Sequence, residues 1–385
     1  MIPSDWFNRN NASAAALNWC NGAQRALARR QAQLLLVLGG TATAAVPGIS
    51  AAGATPSSRR FTAAADAELL LLGPGATLPH QLPPLPAGVS PALISWAAQQ
   101  QLALPSLVID AGCAVAPAVP HLRLGLPPAL CLSSGAAMLP AAVERRRQLG
   151  RQLGSSWCRQ HPEGLLVLAE CVPGGTSTAE ALLTGLGLAV SGLVSGSLQQ
   201  PPHALRASLV QQGLAAAAAR GVPSNDPLAL LAAVGDPLQA LALGLIEGMF
   251  ASATHGAGPQ LLLAGGSQML AIAALALAVL PEGLRPLFAS RVAVVTTAWV
   301  AAEPGSNLEL LAGAIANAWG AAPLGFHSSL RFHRCRHQLL RDYERGFVKE
   351  GVGAGGMAWL WELAGHDPDA LAAACDRACD LLLAR

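Results

Sequence analysis

Five short apolar runs, each closed by a glycine or polar turn and followed by a helical pattern, constrain this chain more than any other feature. They lie at residues 34–38, 106–110, 165–169, 261–264 and 292–296. A run of four or five strand-forming residues that gives way to a 3.6-residue period reads as a βα unit, and repeated βα units wind into a parallel sheet. Only 12% of the residues are charged while 52% are hydrophobic. Most elements must therefore be shielded on more than one side, as strands covered by helices on both faces are. The expected fold is α/β, a doubly wound parallel sheet of Rossmann-like type, its core spanning residues 31–330.

The ends read differently. Residues 1–30 suggest an exposed polar, Ala-rich helix, and helices are expected over 356–363 and 369–383. Segments 1–30 and 331–385 are expected to form a small helical cap that carries a glycine-rich loop around Glu350. The Pro-rich stretch 79–91 reads as a surface connection.

Several function classes drop out. The net charge is only +2, and no Lys/Arg run is interleaved with aromatics, so nucleic acid is not an expected partner. Residues 261–280 carry no charge, but Gly265, Gly266, Ser267 and Gln268 split them into a strand and a helix from about Met269. That is a buried βα unit rather than a membrane span. Eight cysteines without a C-x-x-C pair, and no signal peptide ahead of them, are expected as reduced thiols of a cytoplasmic protein. His333, Cys335 and His337 invite a zinc reading, yet Arg331, Arg334, Arg336 and Arg341 crowd the same stretch and oppose a cation. A surface helix or an anion-facing cluster is expected there, and no metal. Residues 39–43 lack the G-x-G-x-x-G spacing of a dinucleotide loop. No cofactor is expected.

Ligands of doubly wound sheets sit beyond the carboxyl ends of the strands, and three segments there carry chemistry. The first runs from Glu170 through Gly174, Gly175, Thr176 and Ser177 into a helix. Two glycines and three hydroxyl residues at a helix start suit a phosphate, or an ordinary N-capped turn. The second, 349–356, sets four glycines in six residues beside Glu350. It reads either as a carboxylate held close to a ligand or as a solvated loop acid. In the third, Glu303 follows a strand end and is read as a ribose contact or a helix cap.

In this order the segments resemble the nicotinate-nucleotide:dimethylbenzimidazole phosphoribosyltransferase family. Residues 170–184 resemble its E-x-G-x-G-N-T-T-T-A-x-x-L phosphate loop, Glu303-Pro304-Gly305 its S-A-E-P-G-H segment, and 349–353 its R-L-G-E-G-T-G motif. Residues 107–112, 234–246 and 261–265 are similar to its V-V-D-V-G, G-G-x-E-I and V-L-L-D-G-F segments, so the likeness spans about residues 34–362. The wording VPGGTSTAEALLTG and VKEGVGAGG is closer still to the UPF0284-like branch of archaea and cyanobacteria. Gly175, Ala264 and Ser306 depart from the family's asparagine, aspartate and histidine, and its acceptor-base segment maps loosely onto residues 48–55.

The resemblance implies phosphoribosyl transfer from nicotinate mononucleotide to an aromatic base, dimethylbenzimidazole or a purine such as adenine. It implies Glu350 as catalytic base and a phosphate held by Gly174, Gly175, Thr176 and Ser177. Glu170 and Glu303 would lie near the ribose, with Gly48, Ser50 and Gly53 in the acceptor pocket. A homodimer acting on small-molecule substrates is expected. The alternative is a non-catalytic homologue that binds a nucleotide or cobamide precursor.

Overall fold

The computed structural model describes residues 13–251 and 258–384. Its strands are β1 (Ala32–Leu38), β2 (Ser106–Asp110), β3 (Leu122–Arg123), β4 (Leu165–Cys171), β5 (Gln260–Ala264), β6 (Val292–Thr296) and β7 (Leu324–His327). They form one sheet in the order β3-β2-β1-β4-β5-β6-β7, every pairing parallel. The order reverses between β1 and β4, and the crevice beyond their carboxyl ends is where such a sheet binds ligands.

The helices are α1 (Ala14–Ala28), α2 (Thr62–Leu72), α3 (Ala92–Leu102), α4 (Pro140–Gln160), α5 (Gly175–Gly185), α6 (His203–Ala219), α7 (Pro227–Val234) and α8 (Pro237–Phe250). They continue with α9 (Ser267–Val279), α10 (Arg285–Arg291), α11 (Ala298–Ala301), α12 (Leu308–Trp319), α13 (Gln338–Glu344), α14 (Ala354–Leu363) and α15 (Pro368–Leu383).

Strand side chains alternate between the faces. Leu35, Val37, Leu166, Leu168, Leu261 and Leu263 pack into one apolar layer with α4, α5, α8 and α9. Leu34, Leu36, Leu165, Val167 and Leu262 pack into a second with α1, α3, α14 and α15. Among the described residues no helix is long and apolar enough to cross a membrane.

Three expectations need correction. The helix of the N-terminal segment is not exposed: α1 buries Ala16, Trp19, Cys20, Ala23 and Ala26 on one face, while residues 1–12 lie outside the described residues. Rather than standing apart as a cap, α1, α14 and α15 belong to the second layer, with α14 lying across β5 and β6. The Pro-rich stretch is not a mere surface connection either. Val89, Ser90 and Pro91 are buried, and the segment is anchored where the Glu68 carboxylate accepts from the backbone N–H of His80 at 2.7 Å and contacts its ring Nδ1 at 2.6 Å.

The segment 333–337 is a loop, not a helix. His333 contacts Glu344, Arg334 contacts Asp369, and Arg336 and His337 contact Asp380.

Candidate active site

The loop before α14 concentrates left-handed backbone among the described residues. Five non-glycine residues among those described have positive φ, and three fall here: Val348 (63°), Lys349 (63°) and Val352 (53°). Left-handed backbone at a β-branched residue is costly and persists only where the surroundings over-determine it. Those surroundings are specific. Val348 N–H donates to Ser197 O at 3.2 Å and Val352 N–H to Glu170 O at 2.8 Å. Thr297 Oγ1 donates to Lys349 O at 2.6 Å, and Lys349 Nζ donates to Leu198 O at 2.8 Å and pairs with Glu303. Glycine is required just beyond: a Cβ on Gly355 would lie 2.1 Å from Thr296 C, and one on Gly356 2.5 Å from Ala264 Cβ. The helix start is thereby pressed onto the ends of β5 and β6.

This frame fixes the Glu350 carboxylate. Oε1 accepts from the N–H groups of Gly351 and Gly355, each at 3.1 Å. Oε2 accepts from Thr296 Oγ1 at 2.8 Å and Thr297 N–H at 3.0 Å. Burial raises its pKa, and the four donors oppose that rise.

A cavity opens beside it at the carboxyl ends of the strands, with walls from the 50–52 loop, α2, the 82–91 segment, the β4–α5 turn, the 195–197 loop and the start of α9 at 266–268. Glu170, Asp66 and Glu350 all line it, and no Lys, Arg or His does among the described residues. Burial, then the Asp236 carboxylate and more weakly those of Glu350 and Asp66, push the Glu170 carboxyl up to about 8. Val172 N–H, donating at 2.7 Å, works against that shift. A buried cation, Arg206, stands behind the wall at Gly196. Arg206 donates to Val194 O at 2.9 Å and Glu180 at 3.2 Å, with Nη2 only 2.9 Å from where a Cβ on Gly196 would be.

The β4–α5 turn has Gly174 at φ 85° capping α5. Gly175 N–H donates to Val172 O at 2.8 Å and Ser177 N–H to Gly174 O at 3.0 Å, so part of the turn's donor set is spent internally. Behind it, the Asp236 carboxylate accepts from Thr178 at 2.5 Å and Gln268 at 2.6 Å, tying α5, α8 and α9 together.

No protein-family model matches this sequence. A UPF0284 protein of Parasynechococcus marenigrum (strain WH8102) is 48% identical over 385 residues, 98% of this chain and 92% of the relative. Another, of Prochlorococcus marinus (strain MIT 9313), is 48% identical over 360 residues, 91% of this chain and 86% of its own. The chain belongs to the UPF0284 family. This UPF0284 chain also shares its fold with crystal structures of CobT and of nicotinate-nucleotide-dimethylbenzimidazole phosphoribosyltransferase, both from Thermus thermophilus. Each matches with TM-score 0.54 and 21% identity, over 96% of this chain and 93% of the other.

Of the residues singled out from sequence, Glu350, Glu170, Gly174, Gly175, Thr176 and Ser50 meet at the cavity of the UPF0284 chain. Ser177, Glu303, Gly48 and Gly53 are not among its lining residues. Ser177 Oγ is buried without a partner among the described residues. Glu303 is committed to Lys349 and to Ser306 Oγ, which donates at 3.0 Å, and the cap of α12 is Asn307. Gly53 O accepts from Arg59 Nε at 2.9 Å. Sequence reasoning missed Asp66 and Arg206. Their only signal was a charge within an otherwise Ala/Leu-rich helix.

Proposed function

We propose that this chain transfers a phosphoribosyl group from nicotinate mononucleotide to an aromatic nitrogen base, dimethylbenzimidazole or a purine such as adenine, giving an α-ribotide for a cobamide nucleotide loop. The observation that carries this reading is the cavity itself: three carboxyl groups converge on it at the sheet's switch point, with no cationic side chain in its wall among the described residues. Such a lining places no cation against a pyridinium, and its ionised carboxylates favour the positive charge that builds on the ribose as its bond to nitrogen breaks. The C1′–N bond electrons leave with nicotinate, neutralising its ring. A ring nitrogen of the acceptor forms the new C1′ bond from the opposite side, and its second ring nitrogen loses a proton to Glu350.

Glu350 has one donor that can turn away, the Thr296 hydroxyl, the other three being backbone N–H groups. Rotation of that hydroxyl would free Oε2 for the proton. The turn at Gly174, Gly175 and Thr176 would seat the donor's phosphate, with the Arg206 charge one residue behind Gly196. Glu170 would face the ribose, and Glu303 would act through Lys349 on the Glu350 loop. The resemblance further implies a cytoplasmic homodimer.

A second reading, a non-catalytic binder of a nucleotide or cobamide precursor, is favoured by the full set of donors already on Glu350. Glu350→Gln separates the two. On the transferase reading the variant keeps nicotinate mononucleotide binding by calorimetry and loses on the order of a hundredfold or more in nicotinate release. A rate near that of the parent would remove Glu350 from the mechanism. Donor binding with no release from the parent protein itself would establish the binder.

A further inference from the structure

Most buried carboxylates of this chain are accounted for by a cation or by a complete set of donors. Glu180 has Arg206, Glu303 has Lys349, and Glu68 accepts from the backbone N–H groups of His80 and Ala118 and contacts the His80 ring. Glu350 and Asp236 are held by several hydrogen bonds each. Asp66 is different. It is 4% exposed on α2 and lines the cavity, yet among the described residues only the Ser90 hydroxyl, at 2.6 Å, and the weakly donating Cys171 thiol, at 3.3 Å, donate to its side chain. The same cavity is lined by the apolar Leu82, Pro83, Leu85, Pro91 and Val348. Pro91 in turn abuts Gly351, since a Cβ there would come within 2.9 Å of Pro91 Cγ. The cavity therefore combines apolar wall residues with two acids, Asp66 and Glu350. Asp66 also lies outside every segment that carried the family resemblance.

We propose that Asp66 determines which acceptor is used, selecting an aromatic nitrogen base that bears an exocyclic amine over one with a methyl or oxo group at that edge. The proposal rests on the cavity being a phosphoribosyl-transfer site. An ionised carboxylate accepts and cannot donate. An amine hydrogen-bonds to it, a methyl group leaves it desolvated and unpaired, and an oxo group repels it. Burial lifts the Asp66 carboxyl to about 6, against the pull of Ser90 and Cys171, so it is largely ionised at pH 7.5.

The test uses the full chain at pH 7.5 with purine, adenine, hypoxanthine and dimethylbenzimidazole. Each base is measured by calorimetric binding and, with nicotinate mononucleotide, by ribotide formation. Adenine should exceed purine by about tenfold or more, with hypoxanthine lowest. In Asp66→Leu the adenine to dimethylbenzimidazole ratio should fall by a similar factor. Asp66→Asn, nearly isosteric, should lift hypoxanthine relative to adenine because the amide also donates, and this arm stands even where the leucine variant misfolds. An adenine to purine ratio within threefold, ratios unmoved in Asp66→Asn, or no binding of any base would overturn the proposal. Preferential adenine binding without ribotide from any base would uphold Asp66 and refute the transfer reaction instead.

Discussion

Glu170 sits at the end of β4 among the carboxylates of Asp236, Glu350 and Asp66, with its side chain held by Val172 N–H. Burial and those neighbours raise its pKa from 4.5 to about 8. The folded protein therefore keeps a proton there that the unfolded chain releases near 4.5. Stability from this group is full below that value and falls as pH rises towards 8, by about 1.4 kcal/mol per pH unit at most. Glu170→Gln removes the dependence. Melting temperatures measured from pH 5 to pH 8.5 should shift in the variant's favour as pH rises, and a difference constant across the range would show that Glu170 folds ionised. The position of Glu170 was legible in sequence, because a strand run ends on it before a glycine turn. Asp66 was not legible. In TAAADAELLLL nothing marks the aspartate as facing a cavity, which depends on where α2 comes to rest.

At the scale of elements, the five apolar runs became β1, β2, β4, β5 and β6, because strands buried on both faces must be continuously apolar. The other two gave too little signal: β3 has two exposed residues, and β7 is four residues long with a glycine inside. One close helix pair was equally hidden. Where α4 crosses α8, a Cβ on Gly150 would lie 2.2 Å from Leu241 O, one on Gly154 2.2 Å from Leu245 O, and one on Gly244 2.0 Å from Arg147 O. In each helix the small residues recur four apart, letting the backbones touch. Arg147 then makes two bonds to Glu247 across the crossing, at 2.6 and 2.7 Å. Gly244→Ala should gain about 1 kcal/mol in helix propensity and lose roughly 1–3 kcal/mol to overpacking. A net loss in urea unfolding is expected, and a stabilised variant would mean the helices can separate without cost.

Over the whole molecule, α1 and α14, from the two ends of the described chain, close one face of the sheet together. Trp19 of α1 lies 5.9 Å from Phe326 and 5.8 Å from Trp359, ring centre to ring centre, and its indole N–H donates to Arg291 O at 3.0 Å. The sequence hid this because the buried face of α1 is mostly alanine, a weak hydrophobic signal at the correct helical spacing. Trp19→Ala should destabilise the chain by about 3–5 kcal/mol. An unfolding midpoint within a few tenths of a molar of the parent would show that α1 only rests on the sheet. The same closure bears on the chemical durability of the cavity. Cys171 lies in its wall, its thiol on Asp66 and beside Glu170, and burial followed by those two acids drives its pKa well above the ordinary range. Alkylating agents and peroxide act on thiolates. A sulfur kept protonated first by burial and then by the acids around it is a poor target for both, so the acids that line the cavity also lower the reactivity of its cysteine towards oxidants.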